Sequence, residues 1–303
     1  MDSMDSMDSI EEFQKFLYDK TLDGRRINVL ALVGAGLSAP SGVIPSNIGD
    51  TDGDNVWRNY SFIDLATLDA FDSNPALVWL YYALKRHQAL KAEPNEGHKV
   101  LAQLSNLNDK FNLLTISQNM DGLHHRSGHN REKLLEFHGS LFNVKCTNFM
   151  CYYSKYTLKD PLTDSLDVTK YEDSENTQLP IINSLDQLPL CPDCLSNGEK
   201  YLLRPGVIWF GESLPLYLID QADEFIIEND IDLLLVIGTS HTVWPTSSYI
   251  DVIKNNGGDI AVFNIVEDSE IDKIKETSNT KVWNFIGDCS ITLPKVFNSF
   301  INS

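Results

Sequence analysis

The sequence is short of positive charge, has no long apolar run and carries few cysteines. Only 24 Lys and Arg stand against 43 Asp and Glu, a formal net charge of −19 over 303 residues. A nucleic-acid clamp needs Lys and Arg to neutralise phosphates, so that class of function is excluded, and an anionic membrane surface would repel such a chain. The longest apolar segments, residues 27–33 and 231–237, fall far short of the roughly 20 residues that span a bilayer. The opening repeats Met-Asp-Ser three times before Ile10-Glu11-Glu12-Phe13. It has neither the basic end and apolar centre of a secretory signal nor the arginines of a transit peptide. A cytoplasmic protein is the expectation. Five cysteines, an odd number, then argue against a disulfide framework.

What is present suits a globular chain with a sizeable core, since 10% aromatic residues are too many for a solvated coil. An amphipathic helix (Ile10, Phe13, Phe16, Leu17) precedes a nearly continuous apolar run at 27–33. Similar runs recur at 111–116, 231–237 and 260–266, with helical patterns between them, for example at 75–90 and 216–228. Buried apolar strands alternating with helices indicate an open, mostly parallel α/β sheet. Residues 141–203 break the rhythm: they hold two cysteine pairs and a polar insert at 159–188, read as a small inserted module with a mobile loop. A second, more helical insertion covers 44–99.

Four features carry candidate chemistry. Gly34-Ala35-Gly36 follows a buried strand, as in a dinucleotide-binding turn, where glycine lets phosphate approach backbone N–H groups. Many strand-to-helix turns use glycine for geometry only, and no acidic residue about 20 positions later completes the usual fingerprint. Cys146-x4-Cys151 and Cys191-x2-Cys194 supply four thiolates, enough for a closed tetrahedral zinc site that leaves no open position for water. Such a metal is structural; Cys289 stands apart. Gln118-Asn119-Met120-Asp121-Gly122-Leu123-His124 places amides and a carboxylate at the carboxyl end of a strand, where α/β sheets bind ligands, although a capped turn uses the same residues. His138 is a candidate general base or a structural histidine.

Taken together, these residues resemble a family. Gly34-Ala35-Gly36-x-Ser38-x-x-Ser41-Gly42, Gln118-Asn119-x-Asp121-Gly122-Leu123-His124, Phe137-His138-Gly139, the two cysteine pairs and Gly238-Thr239-Ser240 occur in the order found in sirtuins, NAD-dependent protein lysine deacylases. The resemblance runs from about residue 27 to 293. It implies a Rossmann-like parallel sheet domain (1–43, 100–140 and 207–303), a helical and cofactor-loop insertion (44–99) and a zinc-binding module (141–206). It also implies NAD+ as co-substrate, one structural Zn2+, and acylated lysine in proteins or peptides as partner. Leu203-Arg204-Pro205-Gly206-Val207-Ile208-Trp209-Phe210-Gly211-Glu212 and Asp64-Leu65-Ala66-Thr67 look like the class III branch, which prefers succinyl, malonyl or glutaryl groups. That branch is commonly mitochondrial in eukaryotes, an alternative to the cytoplasm.

The same resemblance assigns roles. In sirtuins the acyl-lysine oxygen attacks the nicotinamide ribose, nicotinamide leaves, and a histidine base helps the ribose hydroxyls attack the resulting imidate. The histidine would be His138, with Asn119 and Asp121 holding ribose and carboxamide, and Gln118 near the ribose hydroxyls. Gly34, Ala35, Gly36 and Ser38 would cradle the pyrophosphate, and Gly238, Thr239, Ser240, Asn264 and Cys289 would line the adenosine half. Val207, Trp209, Phe210, Gly211 and Glu212 would pair with the substrate backbone as an added strand. Ala66 would leave room for the acyl group. Tyr82 and Lys85 match the branch's Tyr-x-x-Arg, with Lys replacing Arg; Lys supplies the charge without the planar fork. Arg86 projects about 100° away and is not an obvious substitute. The cofactor loop departs further: Val43-Ile44-Pro45-Ser46-Asn47-Ile48-Gly49-Asp50 has an extra residue before Pro45 and lacks the family's Phe and Arg. His241 stands where a second Ser is common. The alternative expectation is therefore a degenerate sirtuin that binds NAD or acyl-lysine with weak or no turnover. A plain deacetylase or a mono-ADP-ribosyltransferase of the same family is a third.

Overall fold

A computed structural model describes residues 5–43, 56–171, 178–239, 246–267, 273–274 and 279–301. The strands are β1 (Ile27–Val33), β2 (Val56–Trp57), β3 (Tyr60–Ser61), β4 (Phe111–Ser117), β5 (Leu134–Glu136), β6 (Gly139–Cys146), β7 (Ser154–Tyr156), β8 (Leu203–Val207), β9 (Leu233–Ile237), β10 (Asp259–Asn264) and β11 (Val282–Ile286). The helices are α1 (Asp5–Thr21), α2 (Phe62–Leu65), α3 (Leu68–Ser73), α4 (Pro75–Lys91), α5 (Glu96–Asn106), α6 (Leu123–Arg126), α7 (Pro192–Ser196), α8 (Leu216–Glu228), α9 (Thr246–Asn255) and α10 (Cys289–Ile301). Among the described residues no helix is long and apolar enough to cross a membrane.

Six strands form one all-parallel sheet in the order β11-β10-β9-β1-β4-β5. The chain starts at the centre with β1 and runs outward through β4 and β5. It then returns to the other side of β1 to continue through β9, β10 and β11. That is the Rossmann order, and the expected α/β class holds. Such a sheet is covered on both faces, which is why β1 and β9 are apolar on both sides. One face packs α1, α5 and α10: Phe13 of α1 is fully buried edge-on to Trp283, Phe285 and Phe297, at ring distances of 5.1, 5.5 and 5.7 Å. The other face packs α8 and α9. Two strands, β5 and β11, escaped the sequence reading. With three residues β5 is too short to show a period, and Asn284 interrupts β11. The runs at 231–237 and 260–266 also shrink, to 233–237 and 259–264.

A second core lies outside this sheet. The three-stranded antiparallel sheet β7-β6-β8 shares one apolar cluster with α2, α3 and α4. Asn74 caps α4 by accepting from the Leu77 N–H at 3.0 Å, and Pro75 fits the first turn because its missing N–H has no intrahelical partner there anyway. Trp79 Nε1 donates to the Leu203 carbonyl at 2.9 Å. Arg86 is buried and donates to the carbonyls of Leu141, Thr157 and Lys159, so its charge is spent binding α4 to the small sheet. Nor is the insert after Lys159 loose throughout. Leu166, Val168 and Tyr171 are buried in the same core, and the Tyr171 hydroxyl donates to the Leu80 carbonyl at 3.0 Å.

In an open parallel sheet a crevice forms where the strand order reverses and the connections leaving neighbouring strands go to opposite sides, here between β1 and β9 at their carboxyl ends. The turns that follow touch directly. Gly36 N–H donates to the Gly238 carbonyl at 2.8 Å, and Gly34 N–H to the Ile237 carbonyl at 2.9 Å. A Cβ on Gly36 would lie 2.7 Å from the Gly238 Cα, a backbone atom that cannot swing aside. Gly36→Ala is expected to cost about 1–3 kcal/mol of stability by overpacking. Denaturant unfolding measures it; an unchanged midpoint would mean that the two turns can separate.

Candidate active site

One cavity of about 1290 Å³ opens at this crevice and extends to α4 and the segment after β8. Single-ligand sites usually span about 300–1,000 Å³, so this one has room for two substrates. Of the residues expected at a site, Ala35, Gly36, Ser38, Ala66, Tyr82, Lys85, Gln118, Asn119, Asp121, His138, Trp209, Phe210, Gly211, Glu212, Gly238, Thr239, Asn264 and Cys289 line it. Gly34 and Val207 sit behind the wall, and Ser240, like residues 44–50 of the altered loop and His241, lies outside the described residues.

The turn after β1 has already committed most of its amides. Besides Gly34 and Gly36, the N–H groups of Leu37 and Ser38 close back on the Gly34 and Ala35 carbonyls at 3.2 and 3.0 Å. That leaves the Ala35 amide as the donor of this turn without a backbone partner among the described residues. The close approach of two backbones at Gly34 and Gly36 is the reason for glycine there, and it opens the cradle next to Ala35 and Ser38.

Beyond β4 a buried polar cluster faces the cavity. Asn119 Nδ2 donates to the Gly34 carbonyl at 2.9 Å and to Ser38 Oγ at 3.1 Å, which fixes the amide and leaves its oxygen without a partner among the described residues. Asp121 is buried; its carboxylate accepts from the Leu123 N–H at 2.9 Å and bonds the Ser38 hydroxyl. Burial raises its pKa. Gln118 Oε1 accepts from the Thr239 hydroxyl at 3.0 Å, linking the β4 and β9 turns. Behind Ser38 lie His98, His124 and His129, all buried, their rings 5.4 and 5.5 Å apart in succession. Burial depresses all three, His98 and His129 to about 4, so they are neutral.

His138 lies between β5 and β6, at the crossing to the small sheet. Its Nδ1 lies 2.9 Å from the Gln118 carbonyl oxygen, an acceptor, so Nδ1 carries the proton and Nε2 the lone pair. Burial lowers its pKa and the Gln118 bond partly offsets this, so the imidazole is neutral at pH 7. A neutral imidazole with one nitrogen fixed and the other unprotonated is what a general base requires.

The α4 end of the cavity carries Tyr82 and Lys85, one helical turn apart. Tyr82 is 1% exposed, and its oxygen accepts from Trp209 Nε1 at 2.9 Å. Lys85 Nζ stands 5.7 Å from the Tyr81 ring centre and has no carboxylate partner among the described residues; burial lowers its pKa. Arg86 does not reach the cavity. At the opposite end Cys289 Sγ donates to the Phe263 carbonyl at 3.3 Å, and burial pushes the thiol up to about 12, so it is inert. Sequence reasoning missed Asp288, whose carboxylate accepts from the Ser290 N–H at 2.7 Å and which also lines the cavity. A carboxylate capping a helix just after a strand was the available signal. Leu214, Leu216, Ile219, Ile265 and Val266 at the rim carried none, since apolar rim residues follow no period.

A sequence model of the Sir2 family matches residues 34–245, from the glycine turn after β1 to beyond the end of β9. The chain belongs to the Sir2 family. A Candida albicans relative named NAD-dependent protein deacylase is 44% identical, the match covering 88% of this chain and 91% of that one. The dog protein named NAD-dependent protein deacylase sirtuin-5, mitochondrial, is 34% identical over 88% of this chain and 80% of its own. Among solved structures, a Sir2 homologue in complex with NAD superposes with a TM-score of 0.72 at 29% identity, covering 95% of this chain and 93% of that one.

The small sheet of this Sir2 protein brings its four cysteines together. Cys146 and Cys194 sulfurs are 3.7 Å apart, Cys151 and Cys191 sulfurs 3.8 Å, and all four lie within 4.8 Å of one another. Sulfurs about 2.3 Å from a tetrahedral zinc stand about 3.8 Å apart, so the set fits structural zinc. Cys194→Ser is expected to lower Tm by on the order of 10 °C, because binding energy of a structural zinc is folding energy. A thermal scan with and without chelator checks it; equal melting of both proteins in both conditions would refute a structural metal.

Proposed function

We propose that this Sir2-family protein is an NAD-dependent protein lysine deacylase whose acyl pocket is suited to acidic groups: succinyl, malonyl or glutaryl. The observation that carries the reading is the Lys85 ammonium, without a carboxylate partner among the described residues, one helical turn from Tyr82 and in the same cavity as His138. Lys85 is half-buried and its ammonium lies over the face of the Tyr81 ring, a weaker partner than a carboxylate, so a ligand anion would complete it. The glycine cradle beside Ala35 and the amide and carboxylate of Asn119 and Asp121 fit NAD, whose ribose supplies the carbon that the acyl oxygen attacks as nicotinamide leaves and the hydroxyl oxygen that finally takes the acyl group. The overall change is acyl-lysine, NAD and water going to lysine, nicotinamide and O-acyl-ADP-ribose.

In this reading Asn119 presents its free amide oxygen and Asp121 its carboxyl to the nicotinamide carboxamide, while Gln118 faces the ribose. His138 Nε2 accepts the proton of a ribose hydroxyl; Nδ1, held by Gln118, stabilises the resulting imidazolium. Ala66, buried with a minimal side chain, leaves room for the acyl chain. For the peptide backbone, the segment after β8 offers less than a whole strand. The N–H groups of Ile208, Phe210 and Glu212 are spent on His138, Ala66 and Trp209 carbonyls, and that of Trp209 on Glu212. The exposed Gly211 N–H has no partner among the described residues and is the donor available to substrate. The division into sheet domain, helical insertion and zinc module belongs to this reading. A degenerate, non-catalytic protein has less support: the base keeps its working tautomer, and the relatives above are named as deacylases.

Nicotinamide release from succinyl-, malonyl- and acetyl-lysine peptides with NAD tests the reading directly; no release with any of them would end it. Lys85→Met removes a charge-assisted contact and is expected to lower kcat/KM for succinyl-lysine about 10- to 100-fold, with a much smaller effect on acetyl-lysine. The pH profile has two signs. Because the base must be neutral, activity is expected to fall only as pH drops below the ordinary histidine value, through the lowered pKa of His138. Because Lys85 must be charged, the succinyl-over-acetyl preference should fade as pH rises, and at a lower pH than an ordinary lysine titrates. A preference unchanged up to the ordinary lysine pKa would detach it from Lys85.

A further inference from the structure

The Tyr82 hydroxyl does not choose its own orientation. Its oxygen receives the indole N–H of Trp209 at 2.9 Å, and both rings are buried, at 1% and 2% exposure. The indole in turn is held on several sides. The Arg204 guanidinium lies 3.6 Å from the centre of the Trp209 ring, and Phe71 packs on that ring at 5.3 Å. Arg204 is pinned by a two-pronged ion pair with Glu212, each bond 2.7 Å, and by the Val207 carbonyl at 3.1 Å. Glu212 also accepts the Trp209 backbone N–H at 2.8 Å, closing a ring of contacts around one residue. Charge-assisted bonds of this forked kind fix geometry as well as energy.

From this the geometry points to Trp209 as a positioning residue for acyl specificity: its N–H occupies the acceptor side of the Tyr82 oxygen and turns the phenol into an obligate donor toward the acyl chain. This rests on the acidic-acyl reading above. A phenol has one proton and one oxygen to share, and a donor already bound to that oxygen both directs the proton elsewhere and strengthens it as a donor. A terminal carboxylate accepts that proton beside the Lys85 ammonium. A neutral acyl group of the same length, such as butyryl, offers no acceptor and leaves the phenol O–H buried and unpaired, so discrimination comes from the penalty as well as the gain. Glu212 and Arg204 act one step further back: their paired side chains hold the indole.

The test compares succinyl- and butyryl-lysine peptides with wild type, Trp209→Phe, Tyr82→Phe and the double variant, measuring kcat and KM separately. Trp209→Phe keeps an aromatic ring on Arg204 and deletes the N–H. The expected result is a fall of about tenfold in the succinyl-to-butyryl ratio of kcat/KM, carried by KM for the succinyl peptide, with no further fall when Trp209→Phe is added to Tyr82→Phe. A wild type that prefers succinyl while Trp209→Phe keeps the ratio within twofold would overturn the positioning role and leave the acyl reading standing. A wild type with no succinyl preference would overturn both. Should Trp209→Phe fail to fold, Tyr82→Phe carries the question through the indole N–H signal of Trp209 in a proton–nitrogen NMR spectrum. That signal should shift and exchange faster when its acceptor is removed, and an unmoved resonance would refute the bond on which the inference depends.

Discussion

Everything at the site depends on two backbones being allowed to touch. The Gly36 amide bonded to the Gly238 carbonyl at 2.8 Å brings the turns after β1 and β9 closer than any side chain permits. That contact sets the floor of the crevice, which Ala35, Ser38 and Asn119 line. Glycine in such turns is commonly explained by ligand approach. Here protein–protein approach is the stricter demand, and room for a ligand follows from it.

The polar residues are arranged so that each orients the next. Gln118 gives its carbonyl to His138 and its side chain to Thr239, while Asn119 gives its amide nitrogen to the turn after β1. Two adjacent residues thereby tie His138, the turn after β9 and the glycine turn into a single set of distances. Buried polar groups are stable only when satisfied, so these bonds hold the site in shape before any substrate arrives.

Much of this was legible in the sequence, for identifiable reasons. Long buried strands announce themselves by continuous apolar runs, cysteine spacing by its metal chemistry, and the site by motifs that lie at strand ends. What stayed hidden depended on tertiary contacts. The three-residue β5 exists only because β4 supplies its partners, and Tyr171 anchors a polar insert through a core that no local pattern shows. The side-chain fate of Glu212 was equally hidden: a residue read as part of a peptide-pairing strand turns its carboxylate inward to Arg204. Where several readings were possible from sequence, as for Arg86, helical geometry alone already pointed away from the pocket, and its three carbonyl partners explain where the charge went.

That buried guanidinium has a mechanical consequence. Arg86 and Trp79 fasten α4 to the zinc-bearing sheet, while Tyr82 and Lys85 on the same helix face the substrate cavity. Helix α4 is therefore tied to the framework that carries the four cysteines rather than to the parallel sheet. Any swinging of the cleft between open and closed must pivot at the crossings between the two cores, near His138 and the segment after β8. His138 would then lie at that pivot, with the glycine turn on one side of it and α4 on the other.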